Sequence, residues 1–248
     1  MQVGESMNLK EALVAMDMDF ERCALGPSGG GFTLKALDVS PMEFLMQAEE
    51  DFRIGGMSAA INCIANAKRA IASQMDQILL SLGYKSFRWS APKKIETLKE
   101  LGLLLPSVLR NVSQARNMLE HEYKKPNQSD VESALDLASL YVWGMASLFN
   151  CFGDGLEISC GKSYDKSKRS YSKYIDMGIA TESEKVVYVG YCNIRKSDEE
   201  YHQRQGYSVE IPNNDPLFFA LVRLATAFEI GYRIDEAIAA LNQAYAHA

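Results

Sequence analysis

A chain of 248 residues with 47% apolar and 23% charged side chains is long enough to bury a sizeable core, as one large domain or two unequal ones. Its net charge of -6 lacks the basic footprint of a general DNA binder, so a nucleic-acid contact would have to come from a local patch. The cysteines (Cys23, Cys63, Cys151, Cys160 and Cys192) are odd in number and contain no C-x-x-C pair, which argues against a disulfide framework or a zinc knuckle.

Near the N-terminus, Glu5, Lys10 and Glu11 interrupt the apolar core that a signal peptide needs, and no apolar run in the chain approaches membrane-spanning length. A reduced, cytoplasmic protein is therefore expected. Residues 8–24 read as a first helix, and Gly26-Pro27-Ser28-Gly29-Gly30-Gly31 as the breaker that ends it. No Gly-Lys-Ser/Thr follows these glycines, so the segment reads as a linker rather than a phosphate loop.

Ser40, Pro41 and Glu43 spell a helix start, with a cap, a first-turn proline and a glutamate three residues after the cap. This helix is expected to bend or restart at Gly55-Gly56 and to run to Leu82, where Gly83 stops it. Along it Met57, Ile61, Ile64, Lys68, Ile71, Met75, Ile78 and Leu82 alternate by four and three, a packing seam interrupted once, by Lys68. A lysine there must snorkel, pair with an acid or face a polar cavity, which makes Lys68 a secondary substrate-binding candidate.

Ser90 and Pro92 open a short helix through Leu101, and Pro106 opens the next, which ends by about Lys124 because Pro126 disfavours helical geometry in the residue before it. Ser129 is the expected cap of the following helix, whose stripe is Val131, Leu135, Ala138, Val142, Met145 and Phe149. After Gly153 the texture changes. Leu156 to Cys160, Lys185 to Tyr191 and Tyr207 to Ile211 are short, β-branched or aromatic runs bounded by turns, and they predict a small antiparallel sheet. Asn214-Asp215-Pro216 starts the first of two closing helices, near 214–229 and 235–246. The predicted architecture is mostly α: an N-terminal helix and glycine-rich linker over 1–39, an up-down helical bundle over 40–153, and a small α+β portion over 154–248.

The chemistry concentrates in Arg116-Asn117-Met118-Leu119-Glu120-His121-Glu122-Tyr123. His121 is the only histidine within a helical pattern, and imidazole suits proton transfer near neutral pH. On an ideal helix Asn117 and His121 share a face, whereas Arg116 points about 140 degrees away from His121. Convergence then requires Arg116 to fold round, the helix to unwind near Glu122, or a second copy of the chain to supply the partner group. A twofold dimer does this, because the same surface meets itself. A histidine beside an arginine suits cleavage of a phosphodiester that carries its own nucleophile, as RNA does in its 2′-hydroxyl, with no metal or cofactor required. His121 would take that proton or protonate the leaving oxygen, Arg116 would hold the non-bridging oxygens, and Asn117 would fix the imidazole tautomer. The bland alternative is a surface pair, since Arg116 and Glu120 are i,i+4 neighbours of opposite charge and a histidine is favoured near a helix C-terminus.

These residues resemble the signature of the HEPN superfamily: an Arg, four to six residues often beginning with Asn, Asp or His, then His, and in one toxin branch a Tyr two positions later. Arg116, Asn117, His121 and Tyr123 match all of these positions. Asn66-Ala67-Lys68-Arg69-Ala70-Ile71 looks like part of the first core helix of such proteins, and the helix from Asp130 to Phe149 looks like the one after the motif. The resemblance spans about residues 40–152 and implies an HEPN-like bundle acting as a metal-independent endoribonuclease. It also implies a homodimer with a composite active site, a toxin-antitoxin, phage-defence or RNA-processing setting, and an antitoxin or nucleotidyltransferase as partner. It makes Arg116 and His121 catalytic, Asn117 supporting, and Tyr123 a substrate-side position whose role varies. Members without the catalytic pair act as binding or assembly modules, which is the rival reading.

The segment from Lys162 to Tyr174 interleaves cations with tyrosines, a composition that can track a phosphate backbone and stack unpaired bases. Lys166, Lys168, Arg169 and Tyr171 are therefore candidate substrate contacts, with a solvated hairpin as the plain alternative. Gly161-Lys162-Ser163 mimics the end of a P-loop, but Leu156 stands where the required glycine belongs. Asp17, Asp19 and Glu21, and likewise Glu49-Glu50-Asp51, lack the spacing of a metal loop.

Overall fold

The computed structural model describes residues 22–103, 126–151, 153–167, 170–171, 173–182, 185–194 and 205–247. They are mostly helical with a small antiparallel sheet, and the chain divides into two compact units. One is the continuous stretch Leu34–Asn150; the other combines Met1–Thr33 with Cys151–Ala248.

In the first unit, Ser40 and Glu43 cap α1 (Pro41–Ile54) reciprocally. The Ser40 hydroxyl accepts from the Glu43 N–H at 3.2 Å, and the Glu43 carboxylate accepts from the Ser40 N–H at 2.7 Å. The helix stops at Gly55 (φ 70°), and Gly56 (φ 83°) begins α2 (Gly56–Ser81). Two successive left-handed residues cannot continue a helix, and only glycine adopts them without strain, so the chain makes two helices rather than one bent one.

The seam along α2 is only partly as expected. Ile64, Ile71, Met75, Ile78 and Leu82 are buried, but Met57 and Ile61 are each 43% exposed. At this end the inward positions are Ala59, Cys63, Ala67 and Ala70, small side chains on the face that packs against neighbouring elements. The helical period holds, but over the first turns the buried stripe is the one of small residues.

A 3₁₀ turn (Ser86–Arg88) leads into α3 (Ala91–Glu100). The next described helix, α4 (Gln128–Cys151), starts earlier than expected. Asn127, not Ser129, is the cap: its side-chain oxygen accepts from the Asp130 N–H at 2.9 Å, and the Asp130 carboxylate accepts from the Asn127 N–H at 3.2 Å. Val131, Ala138, Val142 and Phe149 are buried on the expected stripe, with Leu135 and Met145 half-buried.

The second unit is built on a five-stranded sheet ordered β1 (Cys23–Gly31), β2 (Gly153–Cys160), β5 (Lys173–Glu182), β6 (Lys185–Ile194) and β7 (Gln205–Pro212), antiparallel throughout. Its first strand, β1 (Cys23–Gly31), is the segment predicted as a linker. It pairs with β2 (Gly153–Cys160), Cys23 opposite Cys160 and Pro27 opposite Leu156. β1 lies at the sheet edge, where a proline lacking an N–H is tolerated. The register shifts between Ser28 and Gly31 absorb the glycine run. Residues 8–21 of the predicted first helix lie outside the described residues, and its last two, Cys23 and Ala24, belong to β1.

The short strands β3 (Tyr164–Asp165) and β4 (Ser170–Tyr171) form a separate ribbon. They precede β5 (Lys173–Glu182), β6 (Lys185–Ile194) and β7 (Gln205–Pro212). Leu156 faces Met177 and Ile158 faces Ile175 across β2 and β5, and all of these are buried. α5 (Pro216–Ile230) is capped by Asp215, whose carboxylate accepts from the Leu217 N–H at 2.8 Å. It buries residues around most of its circumference, including Leu217, Phe218, Leu221, Val222 and Leu224. Each fully buried side chain of this kind is worth roughly 1.5–3 kcal/mol. α6 (Ile234–His247) packs against α5. Among the described residues no helix is long and apolar enough to cross a membrane.

Candidate functional site

Arg116, Asn117, His121 and Tyr123 lie outside the described residues, as do Lys168 and Arg169. Lys68 is half-buried on α2 in the helical unit, whereas Lys166 and Tyr171 belong to the β3–β4 ribbon of the other unit.

The cation-tyrosine segment contains a short two-stranded ribbon. Tyr164 stands opposite Tyr171. The Asp165 carboxylate accepts from the Ser167 N–H at 2.8 Å and from its hydroxyl at 2.6 Å, which shapes the turn locally. Lys162 and Lys166 are exposed, and Tyr164 is 44% exposed. This surface offers charge and a ring face, but no enclosed space.

An open pocket lies in the helical unit. A cavity of about 330 Å³ is walled by Leu37, Asp38 and Val39 from the segment before α1, and by Phe44 of α1. Arg69, Ala72, Ser73 and Asp76 of α2 and Phe87 of the 3₁₀ turn complete it. The segment before α1 is held along α2 at one residue: the Lys35 N–H donates to the Ser81 hydroxyl at 2.7 Å, and Gln77 donates to the Lys35 carbonyl at 3.1 Å. That clamp sets the course of Leu37, Asp38 and Val39 along the cavity.

Two buried polar relays end at its wall. In one, the Asn66 amide donates to Asp51 at 2.9 Å, and Arg69 donates through Nη1 to Asn66 Oδ1 at 2.9 Å. Asp51 and Asn66 are buried, while Arg69 is exposed at the cavity. In the other, Lys94 of α3 donates to Asp76 Oδ2 at 2.7 Å and the Ser86 hydroxyl donates to Asp76 Oδ1 at 2.6 Å, all three being buried. Ser86 begins the turn that carries Phe87, so this relay also fixes where the Phe87 backbone sits. Nearby, burial and then the charge of Asp51 push the Cys63 thiol up to about 11, so the thiolate is not accessible at neutral pH.

Sequence reading missed this arrangement. Asn66, Arg69, Ser73 and Asp76 recur at helical spacing on α2, and that polar stripe was visible in the sequence. It resembles a solvated helix face until neighbouring elements cover half of it. Chemically the cavity can bind and orient; among the described residues no histidine lines it. Among the described residues no cluster of His, Cys, Asp and Glu is arranged to hold a metal ion.

Compared with known proteins, the chain matches no protein-family model, no curated protein and no solved structure.

Proposed function

We propose that the protein is a cytoplasmic, metal-independent endoribonuclease of the HEPN type, acting in a toxin-antitoxin or phage-defence setting. The observation that carries this reading is the pattern Arg116, Asn117, His121 and Tyr123, which falls in the sequence between α3 and α4. Long helices on either side of it, α2 of 26 residues and α4 of 24, support the reading because an HEPN-like bundle needs them there.

In this mechanism the 2′-hydroxyl of the RNA attacks the adjacent phosphorus and the bond to the 5′-oxygen of the next nucleotide breaks. His121 serves the proton transfer, and the planar fork of Arg116 holds the charge that builds on the non-bridging oxygens. Asn117 holds the imidazole tautomer, and a second copy of the chain completes the constellation. Lys166 and the ring of Tyr164, both exposed on the β3–β4 ribbon, suit contact with a single strand.

The test is the purified full chain incubated with varied single-stranded RNAs in the presence of a chelator. Cleavage that leaves 2′,3′-cyclic phosphate ends, and that is lost in His121→Ala and in Arg116→Ala while both variants stay folded, is the expected result. Absence of cleavage, or its suppression by the chelator, overturns the proposal and favours the binding or assembly module.

A further inference from the structure

Burying Asp51, Asn66, Asp76 and Lys94 is unfavourable unless hydrogen bonds compensate, and a satisfied buried network fixes its members in one geometry. Both relays lead to the wall of the same cavity. One orients the Arg69 guanidinium, and the other pins the turn that presents Phe87, a residue left 68% exposed. Opposite in charge to Arg69, Asp38 lines the same space, and among the described residues these two form no ion pair with each other.

We propose that this cavity binds one unpaired guanine nucleotide of a single-stranded RNA, the base lying against Phe44 and Phe87 between the Asp38 carboxylate and the Arg69 guanidinium. The choice of RNA as the source rests on the ribonuclease reading above; the choice of base rests on the cavity. At about 330 Å³ it is at the small end of ligand pockets, which run from roughly 300 to 1,000 Å³, a volume that suits a single nucleotide. Unpaired bases are recognised by stacking on aromatic rings together with hydrogen bonds to their edges, and two phenylalanines at one cavity supply the stacking. Guanine presents adjacent acceptors, O6 and N7, that match an arginine fork, and adjacent donors, N1–H and N2–H, that match a carboxylate. Arg69 uses Nη1 toward Asn66, and a guanidinium carries five N–H donors, so the fork retains capacity for a ligand. Asp76 adds no competing charge toward the base, because Lys94 and Ser86 already engage both of its oxygens.

The experiment uses the full chain carrying His121→Ala, so that RNA is not consumed, and titrates it calorimetrically. The ligands are GMP, AMP, CMP and UMP, then an oligouridine and the same oligouridine with one guanosine. GMP should bind at least tenfold more tightly than the other three, and the single guanosine should tighten the oligonucleotide by a similar factor. Phe87→Ala, Arg69→Gln and Asp38→Asn should each weaken GMP about tenfold, since one stacking contact or one edge recognised by a bidentate pair is worth that much or more. Phe87 and Asp38 are exposed, and circular dichroism confirms that the variants are folded. Equal binding of all four nucleotides, or binding indifferent to these substitutions, overturns the proposal. GMP binding without a guanosine effect in the oligonucleotide overturns RNA as the source. RNA cleavage by the unsubstituted chain with no guanine binding sinks this inference and leaves the nuclease standing; guanine binding by a chain that cleaves nothing does the reverse.

Discussion

Lys94 on α3 and Asp76 on α2 meet at 2.7 Å with little of either side chain exposed, and Ser86 occupies the other carboxylate oxygen. The pair joins two helices and the turn between them at a single point. Truncating one partner strands the other charge away from water, which typically costs about 3–5 kcal/mol, whereas apolar residues at both positions restore much of that loss. Lys94→Met should therefore lower the denaturant midpoint sharply, and Lys94→Met with Asp76→Leu should recover most of it. A single variant as stable as the parent would show that the pair carries no such weight.

The β1–β2 contact is close at one point. A Cβ added at Gly155 would come within 2.6 Å of the Ser28 carbonyl oxygen, and Ser28 is its partner in register. Backbone cannot swing aside as a side chain does, so Gly155→Ala should cost roughly 1–3 kcal/mol and loosen the edge strand. Amide hydrogen exchange should rise over Cys23–Gly31. Unchanged protection there would mean that the strands can separate without penalty.

The α1 cap makes a pH-dependent contribution. Hydrogen bonds from the Ser40 backbone N–H, and then from its hydroxyl, hold the Glu43 carboxyl below its ordinary value of 4.5. A depressed folded-state pKa gives stability that is complete above the unfolded value and disappears as pH falls through the folded one. Glu43→Gln should thus be less stable than the parent at neutral pH and indistinguishable from it at a pH acid enough to protonate the folded-state carboxyl. The measurement is paired thermal melts at both pH values, and a gap that widens in acid would reverse the sign.

If two copies of the chain share each active centre, a mixture of Arg116→Ala and His121→Ala proteins contains hybrid dimers with one intact set of groups. Such a mixture should regain up to about a quarter of parental RNA cleavage by random pairing. A mixture as inactive as its two components would remove the shared centre.

Local chemistry was the legible part of this chain. Ser40 with Glu43, the Gly55-Gly56 break and Asp215-Pro216 each act within a few residues, and the caps and the break fall where the sequence indicated. What escaped was set at a distance. Gly26 to Gly31 has the composition of a linker and becomes a strand because β2, far along the chain, supplies its hydrogen-bond partners. β5 was also missed, although Ile175, Met177 and Ile179 alternate as a half-buried strand should. The stripe of Asn66, Arg69, Ser73 and Asp76 has the pattern of an outward helix face, and nothing within α2 itself says that the segment before α1, the 3₁₀ turn and α3 will close over it. Arg116 and His121 lie outside the described residues, so their reading rests on the sequence alone.

The pairing of Gly31 with Gly153 has a consequence for how the molecule is made. β1 leaves the ribosome before the helical unit, and its neighbour β2 follows about 120 residues later, so the edge strand must wait without a partner while those residues are made. Each doubling of an intervening loop adds only about 0.6 kcal/mol to closure, so the delay costs little at equilibrium. The penalty is kinetic: a glycine-rich, proline-bearing strand is a poor template for aggregation, which suits a segment that stays unpaired while the rest of the chain is synthesised.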